Sequence, residues 1–164
     1  MITEQEQSQV RLLSDTELYQ QAVQFMRGVA RQLPPTQING LLNVSLANTY
    51  DELKDFIKSQ RQRTTWRRED AHIPDFYRRL EVKLGELEKK ATDIMKARAE
   101  RPEQEDLNTL KMLLAREFIQ HLLAENAYMG ATRAFQNADR DTTGNQGRPQ
   151  GDYRRPLPRQ GRTQ

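Results

Sequence analysis

The chain contains no cysteine. A disulfide scaffold, a thiolate metal site and a cysteine nucleophile are therefore excluded. Of its two histidines, neither His72 nor His121 has a second ligand at metal spacing. A lone histidine in a helical pattern is far more often packed or solvated than a ligand or a base. Glu117 and Glu125 stand one turn either side of His121, which suits a local ion pair better than a catalytic dyad. No apolar run approaches the length of a bilayer span, and Met1 to Ser8 is polar and acidic. Neither a membrane segment nor a signal peptide is expected, and the chain reads as cytoplasmic. Alternating strand patterns are missing, and the glycines of the C-terminal region follow no strand and precede no helix, so they form no phosphate-cradling loop. These absences leave no candidate catalytic residue, no metal site and no cofactor.

What the chain has is charge on helical patterns. Charged residues make up 30% of its 164 positions and hydrophobic residues 35%, with a mean hydropathy of -0.94. That balance fits a single helical domain with much surface. The formal net charge is +3, and the segment from Asp139 to Gln164, with six Arg and three Asp, accounts for all of it. Residues 1–138 are neutral overall, so any basic character there is local clustering.

Ser14-Asp15-Thr16-Glu17 reads as a capping box that opens a first helix. Leu18, Ala22, Phe25, Met26 and Val29 continue it at helical spacing, and Pro34-Pro35 stops it. Thr36 is the expected cap of a second helix running to about Arg63. Its apolar stripe is Ile38, Leu42, Leu46, Leu53 and Ile57, with Leu41 and Phe56 beside it. Pro74 fits the first turn of a third helix, in which Tyr77, Leu80, Leu84, Leu87, Ala91 and Ile94 form a heptad seam. Its other positions, including Arg78, Arg79, Lys83, Glu86 and Glu88, read as a solvated face. Glu103, Glu105 and Asp106 open a fourth helix. Its apolar arc from Leu107 to Ala127 is wide enough to mark it as the central one, with room to continue through Phe135. The expected organisation is all-α: a polar N-terminal segment at 1–13, a compact bundle of four to six helices at 14–138, and a disordered basic tail at 139–164 rich in Arg, Gly and Pro.

One cluster breaks the interleaving of charge. Lys58, Arg61, Arg63, Arg67 and Arg68 surround Trp66 with no acidic residue between Lys58 and Arg68. Like charges repel, and phosphate is the commonest partner that keeps such a group together. Lys54, Lys58 and Arg61 fall on one helix face, and Arg78 and Arg79 follow one turn into the third helix. These eight residues, Lys54, Lys58, Arg61, Arg63, Arg67, Arg68, Arg78 and Arg79, are the candidate phosphate contacts of an RNA-binding surface. The plainer reading is a solvated helix end covered by Trp66.

Several segments resemble one family. They are Leu33-Pro-Pro-Thr36-Gln-Ile38-Asn-Gly-Leu41-Leu42, Tyr50-Asp-Glu-Leu53 and its basic continuation, and Ala115-Arg-Glu-Phe118-Ile119-Gln-His-Leu122 with Asn126-Ala-Tyr128. Together they resemble the small subunit of the type III CRISPR–Cas effector complex, closest to the Csm-type assembly. The resemblance covers about Leu33 to Tyr128. Asn39-Gly40 stand where family members often carry a basic residue, and the Arg-rich tail is longer than the family's. The resemblance implies a non-catalytic subunit of a ribonucleoprotein. It would flank the guide RNA–target RNA duplex and contact the large polymerase-like subunit, the backbone subunits and copies of itself. Two other readings stand beside it. One is a helical protein–protein adaptor whose heptad seam continues into a partner helix, without nucleic acid. The other is a helical DNA-binding regulator, for which no recognition helix stands out.

Overall fold

The computed structural model describes residues 2–47, 49–63, 67, 70–97 and 103–144, with residues 137–144 as backbone alone. The described chain is all-α: α1 (Glu4–Leu13), a π-helical turn (Ser14–Leu18), α2 (Tyr19–Arg27), α3 (Pro35–Ala47), α4 (Tyr50–Gln62), α5 (His72–Lys96) and α6 (Gln104–Gly144), with no strand among the described residues. Met1–Ala131 form one compact unit, and the residues from Thr132 onward belong to a second. In that second unit the backbone is helical to Gly144, past the point where the tail was expected to begin. Residues 145–164, and with them most of the expected tail, lie outside the described residues. Among the described residues no helix is long and apolar enough to cross a membrane.

The Ser/Thr-x-x-Glu signature stands at Thr3, Ser14 and Thr49, and the structure treats the three differently. Thr3 caps α1: its hydroxyl accepts from the Glu6 amide at 3.3 Å, and Glu6 returns a 2.8 Å bond from the Thr3 amide. The first helix therefore starts ten residues earlier than expected, and residues 4–13 are part of the bundle, with Val10 buried. Ser14 is not a cap. It sits inside the helical run because its hydroxyl turns to α6, while Glu17 pairs with Lys90 of α5. The helix absorbs this as a π turn, in which the Tyr19 amide reaches back to the Ser14 carbonyl. Thr49 is a cap, bonded reciprocally with Glu52. It splits the expected second helix into α3 and α4. Thr36 lies inside α3 rather than before it. Pro35 takes the first helical position, where a missing amide costs nothing, and the Pro34 carbonyl accepts from the Gln37 amide at 2.9 Å. α2 ends at Gly28, well before the prolines.

The core forms where α2, α4, α5 and α6 share aromatic rings. Phe25 meets Phe76 edge-on at 5.4 Å and Phe118 at 6.0 Å between centroids. Tyr77 joins Phe76 at 5.3 Å and Phe56 at 6.0 Å. Edge-to-face rings add about 0.5–1.5 kcal/mol per pair beyond their burial. The α5 seam is buried as its spacing implied, with Ile94 half-exposed and Ile73, Phe76 and Met95 added to it. In α3 it is Leu41 that is buried, whereas Leu46 is half-exposed.

Polar contacts tie α6 to the rest of the unit. Asn126, fully buried, accepts from the Leu33 amide at 2.8 Å and donates to the Leu33 carbonyl. It satisfies the loop between α2 and α3 as a backbone pair would. Arg116 donates to the Ser45 carbonyl at 3.0 Å, near the end of α3. Asn126→Ala would leave the buried Leu33 groups unpaired, at a cost of about 1–3 kcal/mol. The expected result is a lower urea midpoint with an unchanged slope, and an unchanged midpoint would contradict this role.

Candidate nucleic-acid interface

The expected phosphate contacts divide into several settings. Lys54 projects from α4 toward Glu88 of α5, at 3.6 Å. Glu88 also accepts from Lys111 of α6 at 2.6 Å, so one carboxylate links three helices. The Lys111 hydrogen bond holds the Glu88 carboxyl below its ordinary range, although burial pushes it the other way, and Lys54 adds to the lowering. Lys58 makes no ion pair among the described residues, but it borders a groove with Asp55, Glu81 and Glu88, where carboxylates outnumber lysines. Neither lysine stands on a surface of one sign.

Arg61 and Arg78 come together. With Pro74 and Asp75 they line a small groove at the start of α5. Arg61 pairs with Glu81 at 2.5 Å, and Arg78 pairs with Asp75 one turn before it. Arg63 and Arg67 are exposed beyond the end of α4. Arg68 and Trp66 lie outside the described residues, and so does any stacking by that ring.

Arg79 has a different setting. Its guanidinium lies over the Phe25 ring, 4.7 Å from the centroid, and donates to the Phe25 carbonyl at 3.2 Å. That carbonyl belongs to the last turn of α2, where a cation is favoured by the helix dipole. Gly28 leaves the space: a Cβ there would stand 2.5 Å from Nη2. Arg79 and Arg78 border a groove of about 480 Å³ between α2 and α5, with Gln21, Gln24, Val82 and Lys83 along it. Lys83 was expected on a solvated face. Its side chain is only 16% exposed, pairs with Glu86 at 2.6 Å and reaches over the Phe118 ring.

Arg78 borders both grooves, so the surface runs from Arg61 through Arg78 to Arg79 and Lys83. The carboxylates lining the two grooves are Asp75 and Glu86. Sequence reasoning missed Lys83, Gln21 and Gln24. The available signal was that Gln21 and Gln24 share a face with Phe25, one turn apart.

The Ser14 hydroxyl donates to Glu117 at 2.7 Å and lies 2.8 Å from His121 Nε2. Glu117 therefore bonds Ser14 and does not form the local ion pair expected with His121. In a nucleophilic triad the carboxylate orients the imidazole; here it takes the serine proton. Ser14 is buried and borders none of the five grooves described. The cluster is a latch between the π turn and α6. The seam of α5, for its part, is buried in the chain's own core and offers nothing to a partner helix.

Comparison with protein-family models, with curated proteins and with solved structures finds no match.

The Glu88 pair has a consequence in acid. Because its folded carboxyl titrates below the ordinary range, the stability it contributes is complete above that range and is lost as the pH falls through it. Glu88→Gln should flatten the fall in melting temperature on acidification without moving its alkaline side. Parallel acid limbs in the two proteins would contradict the pairing.

Proposed function

We propose that this chain is a non-catalytic helical subunit that contacts RNA through the surface from Arg61 to Lys83. The observation that carries the reading is the meeting of two grooves at Arg78, which gathers Arg61, Arg78, Arg79 and Lys83 beside Asp75 and Glu86. The ion pairs at its rim do not oppose this. Exposed pairs contribute about 0–1 kcal/mol, whereas a guanidinium meets phosphate with two charge-assisted bonds. Such contacts hold the backbone of a nucleic acid without reading its sequence, which suits a subunit that must accept any guide.

The sequence likeness to the small subunit of the type III CRISPR–Cas effector supplies the assembly in this proposal. There the subunit would line the guide RNA–target RNA duplex in the cytoplasm, beside the large polymerase-like subunit, the backbone subunits and further copies of itself. That part of the reading rests on the likeness alone. Affinity purification from the native cell tests it, by whether a defined short guide RNA and partner subunits elute with the chain.

The RNA contact is tested separately. Arg61→Glu with Arg78→Glu should weaken RNA binding at low salt by about tenfold or more. It should also reduce the slope of log affinity against log salt by about one. The melting temperature should change little. Unaltered affinity and slope in a folded double variant would place the RNA surface elsewhere.

A further inference from the structure

The groove between α2 and α5 is more than a set of cations. Val82 is 64% exposed in its wall, and Phe25 of the core reaches the surface there. Gln24 is exposed beside them, and the Gln21 amide donates to Glu17 at 2.7 Å. Arg78, Val82 and Glu86 recur at four-residue spacing, so they share the face of α5 turned to the groove. Arg79 is held in place from three directions, by the Phe25 ring, by the Phe25 carbonyl and by the flank of Gly28.

Duplex RNA has little use for such a surface. Its bases are stacked inside, and it presents phosphates, riboses and a shallow minor groove. An exposed valine and a positioned guanidinium suit the flat face of an unpaired base, an amide suits its edge, and Arg78 and Lys83 suit the flanking phosphates. The volume of about 480 Å³ falls in the range of small-ligand sites. We infer that this groove takes an unpaired nucleotide, so that the RNA it prefers is single-stranded at this point. The inference rests on the proposed RNA contact and specifies the class of RNA.

The experiment compares full-length protein binding to a short single-stranded RNA of mixed sequence and to the duplex of the same sequence, by fluorescence anisotropy at one salt concentration. The expected preference for the single strand is about tenfold, within the range of one stacked base. Gly28→Ala keeps every charge but forces Arg79 from its place, and it should erase that preference by weakening the single strand. Val82→Ser, which leaves Arg79 undisturbed, should reduce the preference on its own and serves if the glycine variant does not fold. A wild-type protein that binds neither RNA overturns the proposed RNA contact itself. Equal binding of both RNAs, or a preference that survives both substitutions, overturns the unpaired-nucleotide site while leaving that contact standing. Polyglutamate binding more tightly than either RNA would assign the groove to an acidic protein and overturn it as well.

Discussion

Phe25 is the residue on which core and surface both depend. Its ring meets Phe76 of α5 and Phe118 of α6, and on its outer side it carries the guanidinium of Arg79. One side chain thus fixes how α2 lies on α5 and where the first cation of the groove stands. Burying an aromatic of this size contributes about 1.5–3 kcal/mol. The groove therefore inherits the rigidity of the core: its cationic wall is built on α5 and its opposite wall on α2. A surface mounted this way holds its charges at defined separations, which a run of arginines on a loop would not.

Most charges on the unit are spent on structure, and this narrows where function can sit. Glu88 joins Lys54 and Lys111, Glu17 joins Lys90, and Arg116 holds the end of α3. Taking any of these into a ligand contact would loosen a join between helices. Arg61 and Arg78 are different, because their partners Glu81 and Asp75 are at the surface and give up little when replaced by phosphate. The distinction between inward and outward pairs separates Lys54 from Arg78, two residues that look alike in a list of cations.

The fold class was legible because helical periodicity is a local property. The heptad steps of α5 specify a buried stripe whatever packs on it, and the wide arc of α6 specifies a buried helix. The errors were local rules overridden by distant partners. Ser14 has the sequence of a cap, yet Glu117 and His121 lie more than a hundred residues away and claim its hydroxyl. The break between α3 and α4 was hidden because Leu46 and Leu53 are two turns apart and read as one stripe. Thr49 with Glu52 carried the contrary signal. The site was half legible: a run of cations shows in the sequence, but the groove needs the register of α2 against α5. No pattern within either helix contains that register, so Lys83 and Gln24 could not be separated from an ordinary solvated face.

The most direct test of the RNA-binding account is to map ultraviolet crosslinks between the full-length chain and bound RNA by mass spectrometry. The account predicts crosslinked peptides from the α2 segment around Gln24 and Phe25 and from the α5 segment between Arg78 and Glu86. Crosslinks confined to other parts of the chain, with both of these segments unmodified, would contradict it.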